Sequence, residues 1–148
     1  MSTIIPGLLY LGNSDDSSNS DFLRDKNIGF ILNCSKEVKN KHQVPGILEM
    51  RIPVNDMLRD EDIRQMDMYL NEAVLLLDHF LSHSKPVLVH CRQGRQRSAC
   101  VVAAFLMKTY NIKYDVAIDT VKALRRDIAF LPGVNFMNSL ITYGKSIQ

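Results

Sequence analysis

The sequence predicts an α/β protein: one domain with a central, mostly parallel sheet of about four to five strands flanked by helices. Three observations carry that expectation. Short apolar runs of strand length alternate along the chain with stretches of helical periodicity. The run "PVLVH" (86–90) leads through one tight loop into "SACVVAAFLMKTY" (98–110), which is nearly all apolar and therefore the most buried helix. No repeat, low-complexity tract or Pro/Gly-rich linker interrupts the 148 residues, so 1–148 read as a single domain.

Taken in order, "LLYLGN" (8–13) is a short strand ending at Gly12 and Asn13. "SDDSSNSDFLRDKN" follows as a polar turn and a short helix, with Ser or Asp available as N-cap. "IGFILN" (28–33) is continuously apolar, the form of a strand covered on both faces. "KEVKNKHQVPG" (36–46) is a charged loop closed by Pro45-Gly46, and "ILEMRIPV" (47–54) alternates as a further strand. Ile63, Met66, Leu70, Ala73, Val74, Leu77, Phe80 and Leu81 then recur at helical spacing. Asp60 to Asp62 place negative charge where the helix dipole favours it. "PVLVH" is a buried strand whose proline is tolerated at the first position. "YDVAIDTVKALRRD" (114–127) is an amphipathic helix capped by Asp115, and "LPGVNFMNSLITYGKSI" starts at a break and ends as a last helix.

Composition excludes several classes. Hydrophobic residues make up 46% and charged residues 23%, ordinary for a soluble globular protein. No apolar stretch approaches the roughly 20 residues that span a bilayer. The N-terminus lacks a basic leader and a long apolar core, so no signal peptide is expected. Three cysteines do not make a secreted disulfide framework, which points to a reducing compartment: the cytoplasm, with the nucleus also open. A net charge of +2 is too mild to argue for nucleic acid or a membrane surface. There is also no stripe of basic and aromatic residues that would stack bases.

The charge is instead local. In "HCRQGRQRS" (90–98), Arg92, Arg95 and Arg97 crowd the loop between the buried strand and the buried helix. Gly94 permits the tight turn. The helix that starts near Arg97 or Ser98 aims its unpaired N–H groups back at the loop, and Arg97 offers a planar fork for two phosphate oxygens. Gly94 and the side chains of Arg92, Gln93, Arg95, Gln96 and Arg97 are thus candidates for binding an anionic substrate. Cys91 sits at the mouth of that field, where helix amides and arginine favour its thiolate. The combination describes thiolate attack on phosphorus, with the cradle holding the equatorial oxygens and Ser98 donating a hydrogen bond to the departing sulfur. His90 is expected to bond backbone beneath the loop rather than to act as acid or base. A buried cysteine is more often a small core hydrophobe, and that reading fits Cys34 and Cys100. For Cys91 it would require five residue types to fall in order by accident, on the order of one chance in 10⁵ for a chain this long.

The loop matches HCxxGxxRS, and at this point the chain resembles the cysteine-dependent protein tyrosine phosphatase superfamily, specifically its small (atypical) dual-specificity branch. The resemblance extends over nearly the whole chain. "LYLGN" (9–13) is similar to the family's opening strand, "ILNCS" (31–35) to its VLN-type strand, and "RIPVND" (51–56) to the IPxxD segment that carries the general acid. "YDVAIDTVKALR" (114–125) and "FLPGVNFMNSL" (130–140) resemble later family segments, and "IAFLPGVNF" (128–136) is similar to phosphatases of large DNA viruses. The resemblance implies Cys91 as nucleophile, Arg97 as phosphate clamp, Ser98 as hydrogen-bond donor to the thiolate and Asp56 as general acid. Asp60, Glu61 and Asp62 lie close to Asp56, but a helix-start role accounts for Asp60 and Asp62. Asn33 is expected to brace the loop. Gln93 and Gln96 are bulkier than the residues usual in the family, and Gly133 and Ser139 replace its Asn and Gln, so no role passes to those two.

The expected function is hydrolysis of phosphotyrosine and phosphoserine/threonine in protein substrates through a phosphocysteine. The alternative is a polyanionic non-protein substrate: a phosphoinositide, an inositol pyrophosphate or the 5′-triphosphate end of RNA. Arg92 and Arg95 keep that alternative open, unless they are solvated or paired with acids. A catalytically silent phosphate-binding module would lack the cysteine, the arginine or the acid, and all three are present. His79 and His83 stand i,i+4 without a third ligand, so no metal is expected, and no cofactor either. The sequence does not encode a readable oligomeric state.

Overall fold

A computed structural model describes residues 1–39, 41–57, 59–128 and 136–148. Among them run β1 (Ser2–Ile5), β2 (Leu9–Gly12), α1 (Ser14–Ser18), α2 (Ser20–Asp25), β3 (Phe30–Asn33), β4 (Leu48–Arg51), α3 (Asp60–Ser82), β5 (Val87–His90), α4 (Arg97–Tyr110), α5 (Tyr114–Leu124) and α6 (Met137–Ser146). The five strands form one sheet in the order β1-β2-β5-β3-β4. β5 pairs in parallel with both β2 and β3, β3 pairs in parallel with β4, and β1 is antiparallel to β2.

The alternation of side chains along each strand separates two layers. Leu9, Leu11, Phe30, Leu32, Val87 and Val89 face the large core, which they share with Met66, Leu70 and Leu77 of α3 and with α4, α5 and α6. Tyr10, Ile31 and Leu88 face the other way and pack with Leu23 of α2 and Ile28. Both faces of β2, β3 and β5 are covered, which explains their unbroken apolar sequences. Each such side chain taken fully out of water contributes about 1.5–3 kcal/mol. Phe30 stacks on Phe80 at 4.0 Å between ring centroids, tying the end of α3 to β3. α4 is the most buried helix, with every residue from Arg97 to Met107 enclosed.

The structure departs from the sequence expectations in four places. β1 was not foreseen, because Pro6 and Gly7 in "STIIPG" mask a strand that only the edge of β2 makes worthwhile. The polar stretch after β2 is two short helices, whose N-caps are Asn13 and Asn19 rather than Ser or Asp. β4 spans four residues, all exposed at the sheet edge, while Ile52 and Val54 leave the sheet and bury toward the loop of interest. α5 begins after Lys113, and Asp115 lies in its first turn, accepting from the N–H of Val116 instead of capping the helix. α4 starts at Arg97, one of the two starts expected from the sequence. The segment "IAFLPGVNF" lies, except for Ile128 and Phe136, outside the described residues, and so does Gly133.

Candidate active site

The central strand β5 delivers Cys91 to the carboxyl end of the parallel strands, and residues 91–96 loop from there to the N-terminus of α4. The loop is held from outside by its carbonyls. The N–H of Ser14 donates to Arg92 O at 3.0 Å, and Arg125 donates through Nη2 to Gln93 O at 3.2 Å and through Nε to Gly94 O at 3.0 Å. In a trans peptide the next residue's N–H points opposite to the carbonyl, so three consecutive outward carbonyls turn the N–H groups of residues 93–95 inward. The N–H of Gly94 accordingly lies 3.2 Å from Cys91 Sγ. Gly94 has φ +71°, and a Cβ there would lie 2.6 Å from Gly12 O, so both backbone strain and lack of space demand glycine.

Cys91 Sγ is also 3.1 Å from Ser98 Oγ, which is fully buried in the first turn of α4. A sulfur flanked by a hydroxyl and an amide is surrounded by donors, an environment that suits an anion. Gln96, the residue at the N-cap, makes no side-chain cap, and no acid lies in the first turn. The dipole of a fourteen-residue helix therefore reaches the loop uncompensated by a carboxylate from α4. His90 Nδ1 donates to Cys91 O at 3.3 Å, and burial holds its imidazole down at about 4. It is neutral at ordinary pH and supports the loop, as the sequence suggested. Cys34 and Cys100 are fully enclosed, and burial pushes both thiols up, so neither competes as a nucleophile.

Arg97 is 1% exposed. Its Nη1 donates to Glu37 Oε1 at 2.7 Å and to Val54 O at 2.9 Å, and Nη2 donates to Glu37 Oε2 at 2.8 Å. Nε is buried and has no acceptor among the described residues. The fork that the sequence assigned to two phosphate oxygens is thus taken by a carboxylate, and the edge left for an anion is Nε with Nη2. Asp56 and Arg97 line one cleft of about 330 Å³, with Lys36, Glu37, Asn55, Met57, Arg92 and Gln93. Asp56 opens to solvent on one side, yet burial of its carboxyl against the cleft raises its pKa; Arg97 opposes that rise and the negative Glu37 and Asp62 add to it. The neighbouring acids do other things. Asp62 is buried and accepts the N–H of Arg59 at 3.2 Å, and Asp60 and Glu61 are in the exposed first turn of α3.

Of the six positions expected to bind substrate, Arg92, Gln93 and Arg97 line the cleft, and Gly94 contributes its N–H. Arg95 turns to Asp127, 3.4 Å from Nε, and Asp127 also meets Arg125 at 3.4 Å. Gln96 is partly buried with Oε1 unpartnered and lies outside the cleft lining. Asn33 braces a different loop from the one foreseen: its Oδ1 accepts from the N–H and Oγ of Ser35, and its Nδ2 donates to Val38 O. The sequence reading missed Glu37 and Arg125, which reach the loop from 60 and 31 residues away and carry no local signal. Removing the Arg125 supports should let the loop carbonyls relax. Arg125→Ala is expected to weaken tungstate binding about 10-fold by calorimetry, the equivalent of one or two lost hydrogen bonds.

Among the described residues no cluster of three or more His, Cys, Asp or Glu side chains is arranged to hold a metal, and no helix is long and apolar enough to cross a membrane. The His79–His83 pair is spent locally, His83 Nδ1 donating to His79 O at 2.7 Å.

Comparison with known proteins agrees with this geometry. Residues 9–146 match the family model of the dual specificity phosphatase catalytic domain. The chain is 31% identical to the dual specificity protein phosphatase Mpk3 of Drosophila melanogaster over 98% of its own length and 34% of that protein. It is 32% identical to human dual specificity protein phosphatase 16 over 98% of its length and 21% of that protein. It therefore spans about a third or less of these relatives. Among solved structures, human DUSP28 superposes with a TM-score of 0.85 at 25% identity, covering 99% of this chain and 94% of that one. DUSP15 superposes with a TM-score of 0.84 at 26% identity, covering 97% and 86%. A family match over almost all of its residues, on a fold shared with solved members, places this chain in the dual specificity phosphatase catalytic domain family, within the cysteine-dependent protein tyrosine phosphatase superfamily.

Proposed function

We propose that the protein hydrolyses phosphotyrosine and phosphoserine/threonine in phosphorylated proteins through a phosphocysteine intermediate. The observation that carries this reading is the sulfur of Cys91 held 3.1 Å from Ser98 Oγ and 3.2 Å from Gly94 N–H, beside a buried arginine with an unused Nε. In the first step the Cys91 thiolate forms a bond to phosphorus as the P–O bond to the substrate breaks. Inward amides and Arg97 hold the equatorial oxygens, and protonated Asp56 gives its proton to the leaving oxygen. In the second step Asp56, now a carboxylate, takes a proton from water as the water oxygen attacks phosphorus. The P–S bond breaks, and Ser98 donates to the returning thiolate. The chemistry draws only on this chain's own residues and water.

The cleft is lined by Arg92 and Lys36, whose side chains have no hydrogen-bond or ion-pair partner among the described residues. They favour a second reading, a substrate with more than one phosphate, for which Arg92 supplies attraction beyond the scissile group. Arg95, engaged by Asp127, gives this reading no support. Both readings are tested by assaying purified protein on phosphotyrosyl and phosphothreonyl peptides, phosphoinositides and triphosphate-ended RNA, with Cys91→Ser as control. Turnover of the peptides, with Arg92→Ala changing kcat/KM less than about threefold, establishes the first reading. A preference for the polyanions that falls about 10-fold or more in Arg92→Ala replaces it with the second. A thiolate nucleophile also needs a reducing environment, so the same reading places the protein in the cytoplasm or nucleus.

A further inference from the structure

A buried polar atom without a partner costs about 1–3 kcal/mol, so each one raises the question of what meets it. Away from the catalytic cleft, Ser139 Oγ and Tyr143 Oη are two such atoms among the described residues. Both belong to α6, at i and i+4, and so share one face of that helix. Ser139 is 1% exposed and Tyr143 5%, and both line a groove of about 390 Å³ between α6 and α3. That space far exceeds the share of one water molecule, about 30 Å³. From α3 come Asp67 and Asn71, again at i and i+4.

The groove has a sign. Asp67 is the one charged side chain of its lining among the described residues, and it makes no hydrogen bond or ion pair there. Its charge reaches inward, adding to the burial that pushes up the Cys100 thiol of α4. The basic residues of the two helices, Arg64 and Lys145, lie outside the lining. Burial pushes the Tyr143 phenol up, so it stays a neutral hydroxyl and leaves the carboxylate as the charge an occupant meets. A cation that carries N–H donors answers both the carboxylate and the hydroxyl oxygens. An ammonium has three such donors at one point, whereas a guanidinium spreads five over a plane, which suits acceptors divided between two helices. Leu70 and Ile147 add apolar wall for the methylene stem that carries it.

We propose that the α3–α6 groove is a docking site for an arginine side chain of a partner polypeptide, Asp67 pairing with the guanidinium while Ser139, Tyr143 and Asn71 accept its N–H groups. A free amino acid would bring its own carboxylate into a lining that offers no basic partner, so the arginine is one embedded in a chain. The groove shares no lining residue with the catalytic cleft. The inference therefore stands independently of what the cleft hydrolyses.

The probe is N-acetylarginine methylamide, titrated into the isotope-labelled full chain and followed by backbone amide shifts. Shifts should saturate at residues 67–71 and 139–147 with a Kd of about 1–10 mM, the strength of a partly exposed charge pair with a few hydrogen bonds. The capped citrulline analogue keeps the shape and loses the charge, and it should bind about 10-fold more weakly or not at all. Asp67→Asn should weaken the arginine probe to the same extent, and Tyr143→Phe about threefold, the scale of one hydrogen bond. Neither residue belongs to the cleft, so kcat/KM on a phosphotyrosyl peptide should stay within about twofold of wild type in both. A short uncharged peptide with one central arginine should bind at least as tightly as the capped residue, and free arginine more weakly. Absence of saturation below about 100 mM overturns the proposal, as does an equal response to citrulline or an undiminished one in Asp67→Asn. Free arginine binding more tightly than the peptide overturns the docking role and makes the groove a site for the amino acid. No arginine response together with lost thermal stability in Tyr143→Phe also overturns it, and assigns the hydroxyls to trapped water.

Discussion

Cys91→Ser should abolish turnover of every phosphorylated substrate, by about 10⁴-fold or more, the scale on which removal of a covalent nucleophile acts. The hydroxyl is similar in size to the thiol and keeps contact with Ser98 and the Gly94 N–H, so folding and phosphate binding should survive. A serine hydroxyl has no neighbouring base here to activate it. His90 is buried, neutral and turned to the Cys91 carbonyl, and Asp56 is needed protonated. The variant should therefore bind a phosphotyrosyl peptide without releasing phosphate, which titration calorimetry alongside a phosphate-release assay will show. Residual turnover near the wild-type rate would exclude the phosphocysteine route altogether.

The second large effect belongs to Asp56. As general acid it acts only while protonated, so activity should fall as pH rises through its pKa. Burial against the cleft raises that pKa and extends the working range upward. Asp56→Asn should lower kcat by about 10²–10³-fold on alkyl phosphates and flatten the basic limb of the profile. The loss should shrink on aryl phosphates with good leaving groups, because a weakly basic leaving oxygen needs little protonation. Asp60→Asn should leave that limb in place, since Asp60 sits in the exposed first turn of α3 and outside the cleft. A flattened limb in Asp60→Asn, with Asp56→Asn normal, would transfer the role.

The two variants test different kinds of information. Cys91, Gly94, Arg97 and Ser98 lie within eight consecutive residues of a strand–loop–helix unit, and a local unit is legible as a string. The strand periodicity places the sulfur at the sheet's carboxyl end, and the following helix brings its amides wherever the loop points. Asp56 was legible only through the resemblance of "RIPVND", because three other acids stand within six residues of it. Position in the fold separates them: Asp62 is buried and consumed by the start of α3, and Asp56 alone of the four lines the cleft.

What the sequence by itself determined was the α/β class, the buried strands at 28–33 and 86–90, the most buried helix and the chemistry of the loop between that last strand and that helix. Each depends on contacts between near neighbours or on a hydrophobic pattern, and those are written locally. The sequence set Arg97 apart as the phosphate clamp, but tertiary structure alone decided what each arginine meets. Arg97 meets a carboxylate 60 residues away, Arg125 grips the loop carbonyls from the end of α5, Arg95 is drawn off by Asp127, and Arg92 is left to the cleft. The guanidinium groups are chemically identical in the sequence. Packing brings a different partner to each, and a buried charge must be paired where it lands. That physical requirement makes Arg97 and Glu37 one unit and separates the three arginines of the loop.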